Sequence, residues 1–568
     1  MNRPDTTSPL TTGRSQTATA TALREREADR PAVILEWLAR CQAGGLRVIA
    51  GRDDRRIAWS DVLQDVASVF RELRSQDVRE GTRIGICADN SYEWIVLDLA
   101  LLSIGAIPVA LPVAEFRDTR SVDLAERFEL AAIFAAAEAS EPDEPAFVAP
   151  LDELLRGPRV SLRAPPSAPV TAAQDGAFTL AFSSGTGGRL KCLRVSWHGC
   201  ATLIEAHTAA FPFRRDDRIL VALPLSTFQQ RYLTYLAIRN DCDVVLSTSR
   251  HLLRAMRDGK PTVILGPPNL YELAETRYGT FSRRRRLLMS AASSAARLVL
   301  SSSLRRRVRG AVFSPLHQLY GGAARLMLVG SAPVRPSTLR FFNRAGFALY
   351  QVYGMTETGF VTWNTPAANR IGSVGKPVYP GTVYVSDDDE VLVRHGWHLC
   401  TGYHDPPPEV QAGVFLADGI VATGDLGEFD RDGFLYLRGR KDNVLVSRGG
   451  HKIQLEELEG SLCEAPAINR VAVFKPSSGA GLAVAAWFAG DEAAARASLG
   501  ELAERLNARL PLSMHLRHAA LIRGDLSADS PLLNRNLKLN REAVRREAER
   551  RLEPLGRVRD PDHPPARA

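Results

Sequence analysis

The sequence predicts a layered α/β protein with a large multi-sheet amino-terminal domain and a small α+β carboxy-terminal one. Three observations predict it. Short apolar runs recur between stretches of helical period, the spacing of mostly parallel strands joined by crossover helices. At 568 residues the chain outgrows one core, since single cores stop growing near ~250–300 residues. After Arg440 the pattern tightens into a compact segment that runs to about 545.

In chain order, residues 1–30 open with a Thr/Ser/Arg-rich stretch without an apolar centre, which reads as a disordered tail. RIGICAD (83–89) reads as a strand. The apolar run WIVLDLALLSIGAIPVALPVA from Trp94 contains Asp98, Gly105, Pro108 and Pro112, so it reads as a buried helix, a glycine turn and a short strand, not a membrane span. From 177 onward, FTLAFSS, RILVALPLS, CDVVLSTS and PTVILGP are four further strands. The arginine-bracketed stretch 281–312 reads first as a solvated helical hairpin and second as a peripheral membrane contact. The residues after 545 read as a charged tail rich in arginine and proline.

Composition narrows the partners. The chain is 45% hydrophobic and 24% charged with a mean hydropathy of −0.12, ordinary for a globular protein. A net charge of +8 suits an anionic ligand such as a nucleotide, coenzyme A or an acidic carrier. No zinc finger, RNP pattern or aromatic-interleaved basic motif occurs, so nucleic acid is not an expected partner. Seven cysteines without a CxxC pair point to a reducing, cytoplasmic setting and away from disulfides or zinc.

The chemistry concentrates in a few segments. FSSGTGGRLKC (182–192) follows a strand, and its small residues let backbone N–H groups approach an anion closely. Ser183, Ser184 and Thr186 add hydroxyls among Gly185, Gly187 and Gly188, and Lys191 adds a mobile positive charge. No GK followed by Ser or Thr closes the loop, so it is not a Walker A motif. Seven lysines stand against 65 arginines, and a compact ammonium is kept where a planar guanidinium will not serve. Five of the seven fall in the segments 178–195, 350–359, 371–380, 421–457 and 532–541: Lys191, Lys376, Lys441, Lys452 and Lys538.

YQVYGMTETGF (350–360) sets Thr356 and Glu357 at a strand end, where a carboxylate beside phosphates suits Mg²⁺. Asp425 follows a glycine and can accept both hydroxyls of a ribose, and RGGHKI (448–453) is a second tight turn. A Gly/Ser/Thr cluster or a lone acid also fits a surface turn, and it is the order of these segments that argues otherwise.

That order resembles the adenylate-forming superfamily over roughly residues 32–545, and most of all its long-chain fatty acyl-CoA synthetase branch. VALPLSTFQQRYLTYLA (221–237), RLMLVGSAPVRPSTLRFF (325–342) and GRKDNVLVSRGGHKIQLEELE (439–459) fit that branch in spacing. The resemblance implies ATP, Mg²⁺ and coenzyme A, and conversion of a carboxylic acid to acyl-AMP and then to a thioester. It implies that the loop Ser183–Gly188 with Lys191 holds the ATP phosphates. Gly330, Ser331, Ala332, Pro333, Tyr353 and Gly354 would surround adenine, Thr356 would meet the α-phosphate and Glu357 the metal. Asp425 and Arg440 would hold the ribose, Gly449 and Gly450 would face the thiol arm, and Lys538 would serve adenylation.

The same resemblance divides the chain into an AMP-binding domain 31–439, a hinge 440–442 centred on Asp442, and a mobile domain 443–545. The chain departs from the superfamily at Gly187, Leu190 and Cys192 in the loop, and from the long-chain branch at Thr227 and Gln230. An acyl-carrier protein as acceptor, and a non-catalytic nucleotide binder on the same fold, remain open alternatives.

Overall fold

The computed structural model describes residues 31–136, 145–157, 161–163, 176–184, 190–279, 308–404, 408–446, 452–465, 468–477, 481–524, 530–533 and 539–555, with isolated positions between them. Two large sheets form the amino-terminal part. A nine-stranded sheet is parallel through its centre, where Arg218–Val221, Asp243–Leu246, Val263–Gly266, Leu326–Val329 and Leu349–Met355 lie side by side. A seven-stranded sheet joins parallel strands to an antiparallel margin made of Ala177–Ser184, Leu190–Ser196 and Cys400–Tyr403.

The core lies between and under these sheets, and the predicted elements fall where their chemistry puts them. Tyr92–Ile104 is a helix buried almost all round, capped by the Ser91 hydroxyl and stopped by left-handed Gly105 before the strand Ile107–Ala110. Its buried carboxylate, Asp98, is bonded to Arg231 and to the Tyr235 hydroxyl (2.6 Å), so this charge is paired inside the core. All seven cysteines are free, and no described helix is long and apolar enough to cross a membrane.

A third sheet, Val383–Val385, Glu390–Arg394, Ile420–Phe429 and Leu435–Arg440, is antiparallel throughout. Past Arg440 a separate four-stranded sheet, Ile468–Phe474, Leu482–Phe488, Leu516–Arg523 and Glu553–Pro554, packs against the helices Leu455–Leu462 and Glu492–Asn507.

The expected end of this unit at 545 is corrected by the structure. The helix Arg541–Glu549 spans that boundary, Ala548 and Leu555 are buried, and Glu553–Pro554 pairs with Leu516–Arg523. The unit therefore continues at least to Leu555, because the helix and the last strand cover apolar surface of its sheet. The tail 1–30 and most of 281–312 lie outside the described residues.

Candidate functional site

Both large sheets, the third sheet and the carboxy-terminal unit open onto one cleft of about 2800 Å³. One wall of it begins with a hairpin. Ala177–Ser184 and Leu190–Ser196 pair antiparallel, and this register sets Ser183 opposite Lys191 and Phe182 opposite Cys192. Ser183 and Lys191 both line the cleft. The connecting residues Gly185, Thr186, Gly187 and Gly188 lie outside the described residues, and Ser184 is placed only as the end of its strand.

Thr356 and Glu357 follow directly on the strand Leu349–Met355, which returns as Gly359–Trp363. The return is tight. A Cβ on Gly354 would lie 2.1 Å from the Gly359 carbonyl oxygen, and Gly359 itself has φ +75°. Only glycine accepts both conditions without strain. The turn is pinned by Cys400, whose N–H donates to the Glu357 carbonyl (2.9 Å) and whose thiol donates to that of Thr356 (3.0 Å).

Glu357 is 5% exposed yet has no ion-pair partner among the described residues, although it lines the cleft. A buried carboxylate without a counter-charge is costly unless a cation completes it. No group of three or more acidic, histidine or cysteine side chains gathers there among the described residues. That donor set fits Mg²⁺, which takes one or two carboxylates and draws its remaining ligands from phosphate and water.

On another wall, Ser331, Ala332 and Pro333 line the cleft after the strand Leu326–Val329 and its following Gly330. Tyr353 is buried, lines the same cleft and donates its hydroxyl to Asp425 (2.7 Å). Burial and the Asp425 charge hold the Tyr353 phenol well above its ordinary pKa, so it stays a donor. Asp425 sits opposite Arg440 in the third sheet, and the guanidinium donates to its carboxylate (3.1 Å) and to the Thr423 carbonyl (3.0 Å). Arg440 also lies 3.5 Å from Asp442. Glu390, which sequence reading did not single out, supports this corner: it accepts from the Gly424 N–H and from Lys441, both at 2.9 Å.

Part of the cleft wall is apolar, with Leu203, Phe228, Tyr232, Phe360 and Leu399 together with Thr227. Behind it His207 is buried among Phe211, Phe213, Phe360 and Trp363, with its Nδ1 3.1 Å from the Tyr232 hydroxyl. Burial lowers its pKa to about 3, so the ring is neutral.

The carboxy-terminal unit closes the cleft. Lys538, Gly449 and Gly450 lie outside the described residues. The flanks of Lys538 are described: Leu533 and Leu539 pair as an antiparallel bridge, and both line the cleft with Asn540 and Arg541. Arg541 grips Glu459 with two nitrogens (2.6 and 2.9 Å), and Arg470 bonds Asn269 across the cleft.

The lysine reading is half met by geometry. Lys191, Lys441 and the unremarked Lys475 line the cleft, whereas Lys376 lies over the Phe434 ring (4.9 Å) and is absent from it.

Sequence reading also missed Tyr403. It ends the strand Cys400–Tyr403, lines the cleft and donates to Glu357 (2.7 Å). Its partner strand lies some 210 residues upstream, and only the GY pair before a proline run marks it locally.

The chain is similar to known proteins over this whole arrangement. It is 27% identical to a long-chain-fatty-acid–CoA ligase, FadD15, of Mycobacterium bovis, over 86% of this chain and 90% of that protein. Among solved structures, ATP-bound MatB from Rhodopseudomonas palustris superposes with a TM-score of 0.67 at 19% identity, covering 91% of this chain and 99% of that one. O-succinylbenzoate coenzyme A synthetase (MenE) from Bacillus subtilis, in complex with AMP, gives 0.65 at 19% identity, covering 90% and 97%. The sequence profile of the AMP-binding enzymes matches residues 22–400, and the chain belongs to that family.

Proposed function

We propose that the protein is an AMP-forming acid–thiol ligase: it uses ATP to turn a carboxylic acid into acyl-AMP and then into a coenzyme A thioester. One observation carries this reading. A single cleft joins the Ser183–Lys191 hairpin, the buried acid Glu357 and the Asp425–Arg440 corner to an apolar wall. Anion, cation, ribose and acyl chain thus find matching surfaces side by side. The apolar wall favours a fatty or other hydrophobic acid, in keeping with the relative named as a long-chain-fatty-acid–CoA ligase.

The chemistry explains the charges. A carboxylate must attack the α-phosphorus of an anion, and two unit charges ~4 Å apart repel by about 4 kcal/mol at an effective dielectric of 20. That is roughly a thousandfold in rate. Lys191 and Ser183 bind on the phosphate side, Thr356 meets the α-phosphate, and Glu357 would hold Mg²⁺. When bound, Mg²⁺ supplies charge neutralisation at the phosphates. Asp425 and Arg440 fix the ribose and so orient the α-phosphate toward the acid. Lys538, between flanks that line the cleft, supplies an ammonium during adenylation; rotation about Asp442 then brings the Gly449–Gly450 turn to the thiol step.

ATP–pyrophosphate exchange over a panel of aliphatic and aromatic acids tests the reading. Product analysis with coenzyme A or a holo-carrier protein then identifies the acceptor. Exchange with a hydrophobic acid followed by a coenzyme A thioester is expected; silence across the panel would reject it. Lys538→Ala should lose exchange by orders of magnitude while still making thioester from supplied acyl-AMP. Equal loss of both steps would remove the division of labour.

A further inference from the structure

Tyr403 stands between the two charged groups of the phosphate side. Its hydroxyl donates to Glu357 Oε1 (2.7 Å) and accepts from Lys191 Nζ (3.4 Å), which also lies 5.0 Å from the centre of its ring. The donors and acceptors run in one direction, ammonium to phenol to carboxylate. We propose that Tyr403 is a positioning residue for the metal–nucleotide complex: it occupies one oxygen of Glu357, leaves the other for the cation, and keeps the Lys191 ammonium from pairing with that carboxylate. The inference rests on the nucleotide reading of the cleft.

Three features make Tyr403 suited to the task. Its backbone N–H is fixed by Gln411 Oε1 (2.9 Å), and its ring stands edge-on to Phe415, with centroids 5.3 Å apart. Its strand is the same one that pins Glu357 from behind through Cys400, so phenol and carboxylate are held by one element. It pairs on its other side with the strand that carries Lys191, with Tyr403 opposite Leu193. A group locked on three sides is placed before ligand arrives, as a site that must present a single carboxylate oxygen requires.

The alternative without the hydroxyl is specific. Lys191 and Glu357 are separated by one oxygen atom, and with that atom removed the two charges can meet directly. A lysine held by Glu357 would compete with the metal and would be withdrawn from the phosphates. Tyr403→Phe keeps the ring and its Phe415 contact and deletes only this oxygen.

The test uses the full-length protein and isothermal titration calorimetry with three probes: ATP in Mg²⁺, ATP in EDTA, and AMP. The ratio of the ATP Kd in EDTA to that in Mg²⁺ reads the metal's contribution. In Tyr403→Phe this ratio should fall about tenfold, the worth of one hydrogen bond to a charged group, with the AMP Kd unchanged. Adding Lys191→Met to Tyr403→Phe should raise the ratio again, because the competing ammonium is gone; a merely structural tyrosine would show no such recovery. If Tyr403→Phe fails to fold, fluorotyrosine at 403 keeps the shape, alters the donor strength and should still move the ratio. An unchanged ratio, or an AMP Kd that worsens in parallel, overturns the proposal. Since binding is read without turnover, that outcome is separate from a failure of the wild type to activate any acid.

Discussion

Asp425→Asn separates a ribose-binding carboxylate from one that merely closes a corner of the third sheet. The carboxylate accepts from Tyr353 (2.7 Å) and Arg440 (3.1 Å), and Arg440 keeps a second anchor on the Thr423 carbonyl (3.0 Å). The amide is isosteric: its oxygen still serves the guanidinium, and its nitrogen can donate to the Tyr353 oxygen once that hydroxyl rotates. The corner should therefore stand. What changes is the acceptor capacity left for a ligand, since a carboxylate offers about four lone-pair sites and the amide about two. A hydrogen bond to a charged group contributes about 1.5–3 kcal/mol. Losing one ribose hydroxyl's bond thus raises the Kd for ATP about 10- to 150-fold. Binding of ATP and of 2′-deoxy-ATP to wild type and variant closes a double-mutant cycle. Wild type should prefer ATP by about tenfold or more, and Asp425→Asn should bind both alike. A variant that still discriminates as the wild type does would show that Asp425 does not read the ribose.

Two further outcomes follow from the apolar wall. Gly359→Ala places a Cβ 2.7 Å from Leu203 Cδ2 at φ +75°, so it strains the turn by roughly 1–2 kcal/mol and pushes Leu203 toward the acid. Acid kcat/KM should drop about tenfold, as overpacking by a methyl group implies, with ATP KM little changed in steady-state kinetics; a shift in ATP KM alone would refute this placement. His207 is neutral when folded, with a pKa of about 3, and takes up a proton at its ordinary 6.5 when unfolded. Between those values the unfolded chain holds more protons, so stability falls as pH falls, by about 2 kcal/mol at pH 5. Denaturant unfolding at pH 8 and pH 5 should show that loss in wild type and a loss smaller by about this amount in His207→Phe. Equal losses in both would contradict it.

The legible parts of the molecule are those where one physical rule acts locally. FTLAFSS, RILVALPLS and PTVILGP are short apolar runs between turn residues, and each became a strand buried between layers. The third sheet escaped because its strands are half-exposed and its edge strand Val383–Val385 spans only three residues, too few to show a period. The lysine argument worked where an ammonium meets charge, at Lys441 on Glu390, and failed at Lys376, where the same side chain lies over an aromatic ring.

Tyr403 and Glu390 mark the deeper limit. Each bonds to a residue that the sequence singles out, Glu357 or Gly424 beside Asp425, from 46 or 34 positions away, and each is set there by pairing of its strand with a distant one. A motif names the atoms that meet a ligand because their spacing is short and their chemistry unusual. The residues that aim those atoms have ordinary types and distant partners, so register alone brings them in. In this cleft that second set holds one oxygen of Glu357 and the backbone N–H of Gly424 beside Asp425. Variation at Tyr403 or Glu390 should therefore tune nucleotide affinity while every motif residue stays in place.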